Sequence, residues 1–235
     1  MALSPKSHLA EFIGTFALIF VGAGAATALG PTQVQAVAFA HGLTIMIFAF
    51  AFGEISGGHF NPAVTIGLGA AGAFPARNIP SYVVAQLLGA IVAGFCLLGI
   101  FGGPVNGLGA TTFDLQRITE VGGFALEGVG TFFLVTVVLL TAVRKNAAGS
   151  LAPFAIGMTI TICILFFGDL TGGSINPART LGPDVARGMY DGVAVYIAAQ
   201  LVGGIVAGVL YRLFWAAEPA PAAVHGTDLH GQAAE

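Results

Sequence analysis

The tripeptide Asn-Pro-Ala occurs twice in this chain, as Asn61-Pro62-Ala63 and as Asn176-Pro177-Ala178, 115 positions apart. Each copy follows a pair of glycines. Ile55-Ser56-Gly57-Gly58-His59-Phe60 leads into the first and Leu170-Thr171-Gly172-Gly173-Ser174-Ile175 into the second. Asn is a strong helix N-cap and Pro is favoured at the first helical position, so each copy reads as the start of a helix. Long apolar stretches flank both copies. Two helix starts set in apolar sequence must be buried, and matching frames require matching surroundings.

The surroundings are a membrane. Of 235 residues, 56% are hydrophobic and only 8% charged, with a mean hydropathy of +0.90. A soluble domain carries about 25% charged residues, so this chain cannot cover itself with a polar surface. The net charge of -3, without a basic patch, gives no footing for nucleic acid. Cys96 and Cys163 fall inside apolar spans and read as small core residues. They have no CxxC partner or neighbouring His cluster, so neither a metal nor a cofactor is expected. No cleavable signal peptide is recognisable, and the first apolar run reads as retained.

A bilayer core needs about 20 apolar residues per helix. Six runs qualify: 9–29, 34–53, 80–101, 120–143, 151–168 and 193–215. Two shorter pieces, near 61–71 and 176–187, follow the Asn-Pro-Ala motifs and read as re-entrant half-helices. Irregular backbone at membrane depth must be buried or line a cavity, which places the Gly-rich turns there. The halves repeat beyond the motifs. Tyr82–Gly94 reads YVVAQLLGAIVAG and Tyr196–Gly208 reads YIAAQLVGGIVAG, while Glu11-Phe12-Ile13-Gly14-Thr15-Phe16 is echoed by Glu127-Gly128-Val129-Gly130-Thr131-Phe132.

Three spans is an odd number, so the second unit must enter from the opposite face. The result is an inverted repeat. The fold expected is all-α and integral to the membrane: six transmembrane helices and two re-entrant half-helices in a single domain, 1–215. Its repeats run from about 8 to 101 and from about 120 to 215, and a disordered cytoplasmic tail, 216–235, follows. His225 and His230 in that tail are dispersed imidazoles without a metal-site pattern. Lys6, Arg77, Arg144, Lys145 and Arg212 fall on one side of this arrangement and Arg117 and Arg187 on the other, which puts both termini in the cytoplasm.

The motif has a physical consequence. The Asn side-chain oxygen can cap its own helix and leave the amide NH2 free to donate outward. Each helix N-terminus carries roughly half a positive charge. Two of them meeting at the midplane favour a water oxygen and disfavour cations, hydronium included. Gly57-Gly58 and Gly172-Gly173 let the backbone run extended before each cap. The carbonyls of Gly57, Gly58, His59, Phe60, Gly172, Gly173, Ser174 and Ile175 can then form an acceptor ladder.

On these residues the chain resembles the aquaporin (major intrinsic protein) family, over about 8–215, with both Asn-Pro-Ala boxes intact and Arg179 directly after the second. The resemblance implies a passive water channel, a homotetramer in the lipid bilayer with one pore per protomer, and exclusion of protons and ions. It implies that Glu11 and Glu127 are structural acids bonding the re-entrant backbone. It also implies an outer selectivity filter from four positions counted off the motifs, which here are His41, Ile164, Gly173 and Arg179.

Strict water channels of the family carry Phe at the position of His41 and His at that of Ile164. The set His, Ile, Gly, Arg is similar instead to plant vacuolar-membrane aquaporins that also pass ammonia. Ammonia is therefore the first additional solute expected, ahead of hydrogen peroxide, urea and glycerol. Some of those relatives use a histidine after the third span, and Gly102–Thr119 contains none. Glycerol channels have Asp directly after the filter Arg and a basic residue four positions further on; this chain has Thr180 and Asp184.

Other classes fit the residues less well. A glycerol facilitator differs at Thr180 and Asp184. An ion-coupled transporter would need carboxylates near its substrate. A junction-type tetramer would need a plugged lumen. No nucleophile–base set, metal cluster or phosphate loop supports an enzyme. The short termini without targeting signals point to a prokaryotic plasma membrane.

Overall fold

The computed structural model describes residues 4–30, 32–144 and 149–216. Lys145 and the tail 217–235, with His225 and His230, lie outside the described residues. Six helices are long and apolar enough to cross a membrane: α1 (Pro5–Leu29), α2 (Val34–Ser56), α4 (Ala76–Phe101), α5 (Glu120–Val143), α6 (Gly149–Thr171) and α8 (Val193–Phe214). Two short helices, α3 (Pro62–Ala70) and α7 (Pro177–Arg187), begin at the motifs. Local chemistry sets the ends. Ser4 and Thr119 cap α1 and α5 through their hydroxyls, and left-handed Gly57 and Gly172 stop α2 and α6.

The helices meet through small residues, which let backbones approach closely where lipid supplies no hydrophobic drive. At the α2–α6 crossing, Gly42 and Gly157 lie back to back. A Cβ on either would run into the other's carbonyl, and one on Gly42 would also meet the Thr161 hydroxyl. Gly67 of α3 packs on Gly204 of α8, and Gly94 of α4 packs on Gly182 of α7. Each half-helix is thus held by the last span of one repeat. Large apolar side chains such as Ile47, Val84, Phe133 and Phe166 face outward, as in a chain solvated by lipid.

Two spans depart from α geometry: Leu18–Ala23 in α1 and Leu139–Val143 in α5 are π-helical. Such widened turns often fall at functional sites. The first brings Gly22 against His41.

Candidate functional site: the lumen between the two half-helices

Each half-helix is anchored by one buried carboxylate. Glu11 accepts four hydrogen bonds: from Ser56 Oγ (2.7 Å) and His59 N (3.0 Å) on Oε1, and from Phe60 N (2.7 Å) and Gln86 Nε2 (2.7 Å) on Oε2. Glu127 does the same with Thr171 Oγ1 (2.7 Å), Ser174 N (2.9 Å), Ile175 N (2.7 Å) and Gln200 Nε2 (2.9 Å). Both acids are fully buried. Four donors per carboxylate replace the water a buried charge loses. Tyr82 and Tyr196 add a bond each, from their hydroxyls to the carbonyls of Ser56 and Thr171.

These sockets dictate the loop backbone. Because the carboxylate collects the N–H groups of 59–60 and 174–175, the neighbouring carbonyls turn to the other side. Among the described residues, the carbonyls of Gly57, Gly58, His59, Gly172, Gly173 and Ser174 accept no hydrogen bond from the protein. The turns are not extended, as the glycines suggested. Gly57 (φ 91), Gly58 (φ 63), Gly172 (φ 81) and Gly173 (φ 58) are left-handed, and so are Phe60 (φ 48) and Ile175 (φ 44). A bulky or β-branched residue at positive φ is strained and persists only where its surroundings over-determine it. Here the carboxylate sockets do so.

The two caps are joined crosswise. Asn61 Oδ1 accepts from Ala63 N (2.8 Å) and Val64 N (3.4 Å), and Asn176 Oδ1 from Ala178 N (2.9 Å) and Arg179 N (3.4 Å). Asn61 Nδ2 donates to the Ile175 carbonyl (2.8 Å) and Asn176 Nδ2 to the Phe60 carbonyl (3.0 Å). These bonds apportion the donors and acceptors at the midplane. One hydrogen of each amide is spent holding the halves together, so each Asn keeps one outward N–H instead of two. The Phe60 and Ile175 carbonyls receive those hydrogens, so the ladder's unengaged acceptors are the carbonyls of 57–59 and 172–174. Pro62 and Pro177 occupy the first helical position, and Ala63 and Ala178 are wholly buried.

The lumen is wide, narrow, then wide. A cavity of about 380 Å³ opens between Ile164, Arg179 and the 106–114 loop. A cavity of about 700 Å³ opens on the other face, between Glu54, Phe74, Val143 and Gly149. The joining stretch, with His41, Asn61, Asn176 and Arg179 on its wall, has about 20 Å³ of free space. That is on the order of what a single water requires. It shares Arg179 with one vestibule and Gly58, His59, Val64, Val138 and Ile156 with the other. The rest of its lining includes apolar Leu18, Ile45, Leu134, Val138 and Ile160.

Of the four positions expected to form a filter, His41 and Arg179 line the narrow stretch, Ile164 and Arg179 line the 380 Å³ cavity, and Gly173 lies against Ile164. Arg179 is 3% exposed, and its Nε and Nη1 have no protein partner. A cation in the first turn of a helix opposes the helix dipole, a local rule broken where function overrides it. His41 is 2% exposed. Its Nδ1 lies 2.9 Å from the Val37 carbonyl, which can only accept, so Nδ1 carries the proton and Nε2 is left as an acceptor without a protein partner. Gly173 faces Ile164, whose Cγ1 would lie 2.9 Å from an added Cβ.

The His59 side chain was missed. The sequence reading used only its carbonyl, yet its imidazole stands where the narrow stretch meets the larger vestibule. It is tied to Thr65 Oγ1 (3.1 Å) and packed against Phe74 and Tyr82. The difference between His59 and Ser174 at matching positions was the available signal.

Residues 2–211 match the major intrinsic protein family. The chain belongs to that family. It is an integral, multi-pass membrane protein, a channel for water and small solutes and not an enzyme. It is 42% identical over 221 residues to aquaporin TIP2-1 of Zea mays, covering 89% of this chain and 87% of that protein. It is 39% identical over 209 residues to aquaporin NIP1-1 of Zea mays, covering 87% of this chain and 73% of that one. The fold is similar to the crystal structure of the aquaglyceroporin from Plasmodium falciparum, with a TM-score of 0.78, 29% identity and coverage of 88% and 95%. The curated relatives named are plant proteins and lend no support to the expected prokaryotic plasma membrane.

Proposed function

We propose that the channel passes water in single file and ammonia with it, while holding back protons and other ions. The observation that carries this reading is the filter's hydrogen-bonding pair: a buried acceptor, His41 Nε2, and buried donors, Arg179 Nε and Nη1, all without protein partners. Ammonia and water each offer a lone pair to Arg179 and N–H or O–H groups to His41. Ile164 and Gly173 leave the remaining wall apolar and free of bulk, which suits a solute less polar than water.

Below the filter, the outward N–H groups of Asn61 and Asn176 donate to a passing oxygen or nitrogen. The half-helix N-termini and Arg179 oppose a cation there. The unengaged carbonyls receive the solute's hydrogens on either side. The positive-inside distribution places the larger vestibule in the cytoplasm, with both termini. Four protomers with a pore each are the assembly proposed.

Glycerol is the second reading, favoured by the fold neighbour being an aquaglyceroporin. Thr180 and Asp184 count against it. Stopped-flow permeability of proteoliposomes to water, ammonia and glycerol, in wild type and His41→Phe, tests both readings. Wild type should pass water and ammonia, and His41→Phe should lose ammonia selectively. Passage of water alone by the wild type overturns the ammonia reading, and glycerol flux comparable to water favours the second.

A further inference from the structure

Asp184 is the only acid of α7, between two guanidinium groups of the same helix, Arg179 and Arg187. It is fully buried. Its Oδ1 accepts from Arg187 Nε (2.8 Å) and lies 2.6 Å from Arg187 Nη2, while Oδ2 has no protein partner. An ion pair at this depth is costly to bury and becomes costlier still when one partner is removed.

The pair reaches the filter through a loop. Arg187 lies beneath the left-handed turn at 106–108, where a Cβ on Gly107 would come within 3.5 Å of Nη1. The loop is tied elsewhere by Asn106 Nδ2 to the Thr27 carbonyl (2.8 Å) and by Asp114 N to the Leu170 carbonyl (2.8 Å). Between these ties Thr111 presses on the backbone of Gly172, where a Cβ would lie 2.6 Å from Thr111 Cγ2. Gly172 adjoins Gly173, and the loop shares the outer vestibule with Arg179.

We infer that Asp184 is a positioning residue for the outer constriction. Through Arg187 it clamps the 103–114 loop onto the second half-helix, and the loop in turn sets the gap between Gly173 and Arg179. The inference rests on the filter reading of Arg179. It goes beyond that reading by assigning a solute-size role to a carboxylate that never meets the solute.

The test compares wild type, Asp184→Asn, Asp184→Ala and, as a control, Arg179→Ala in liposomes, with channel number measured for each. Two quantities are read: the glycerol-to-water permeability ratio and backbone amide exchange in 103–114. The Asp184 variants should raise the ratio by about threefold or more, the scale of change for a residue acting through a chain of contacts. They should also speed exchange in the loop while water permeability per channel holds. Asp184→Asn keeps the shape and decides the matter if Asp184→Ala does not fold. An unchanged ratio in both, where Arg179→Ala does change it, overturns the inference even if the loop exchanges faster. If Arg179→Ala also leaves the ratio unchanged, the filter reading fails; loop exchange at the wild-type rate then overturns the clamp as well, and faster exchange upholds it.

Discussion

Asn61 and Asn176 each hold the loop of the other repeat, by 2.8 Å and 3.0 Å bonds to the carbonyls of Ile175 and Phe60. The same side chains cap their own half-helices through Oδ1. One amide therefore starts a helix, fixes the distance between the repeats and offers one remaining N–H to the lumen.

Substitution can separate these roles. Serine caps a helix about as well as asparagine, whereas alanine forfeits about 1 kcal/mol of capping. Asn176→Ser should keep the helix start and fold, while losing the bond to Phe60, at a cost of about 1–3 kcal/mol, and the amide donor to the lumen. Its water permeability should drop by about tenfold, the size of effect expected from a lost polar contact worth about 1.4 kcal/mol. Asn176→Ala should lose about 1 kcal/mol more, the capping term. Melting curves beside stopped-flow traces would check this, and equal permeability in wild type and Asn176→Ser would show that the amide is not a lumen donor.

The sockets make a second prediction. In Glu127→Gln one oxygen becomes an NH2 facing donors, either Ile175 N and Gln200 Nε2 or Thr171 Oγ1 and Ser174 N. Each stranded buried donor costs about 1–3 kcal/mol, so the loss should be roughly 3 kcal/mol or more. Glu11→Gln should behave alike, since its four partners match. A melting temperature within a degree or two of wild type for either variant would contradict the socket account.

How much of this was legible in the sequence follows from the range of the forces involved. The motif starts were readable because capping by Asn and the preference for Pro at the first position are local. The spans were readable from apolar length, but α2 and α6 each run three residues beyond the apolar windows, to Ser56 and Thr171. Glu54 and Asp169 end the apolar count, while the helices continue to the glycine caps. The crossed amides could not be read, because they join residues 114 and 116 positions apart. Left-handed Phe60 and Ile175 contradict local preference, and only the carboxylates from other helices explain them. The positions proposed for the filter were counted from the motifs along α2 and α6, which run without interruption. What lies behind them, such as Gly22 against His41 or Arg187 under Gly107, depends on tertiary packing.

Gly22 makes a third prediction. A Cβ there would lie 2.5 Å from His41 Cδ2. The π-helical turn fixes the backbone of α1 and Val37 fixes Nδ1, so Gly22→Ala should tilt the imidazole into a stretch with about 20 Å³ of free space. Overpacking of this kind costs about 1–3 kcal/mol. Water permeability should fall several-fold and ammonia permeability with it, without a change of residue at the filter. Unaltered permeability of Gly22→Ala would mean that His41 moves aside freely and does not set the width.

Arg179 makes the last. The cation sits where the narrow stretch meets the smaller vestibule, with no carboxylate within ion-pair distance among the described residues. Removing it takes away two unpartnered donors and the largest side chain of the filter. Arg179→Ala should pass glycerol faster than wild type and conduct small cations at a rate measurable in planar bilayers or by sodium-loaded vesicles. Proton exclusion should weaken less, because the two half-helix N-termini remain at the midplane. The comparison of sodium and proton fluxes in one preparation separates these barriers. If sodium stays excluded in Arg179→Ala, the half-helix ends alone repel cations and the arginine serves only to bind and size the solute.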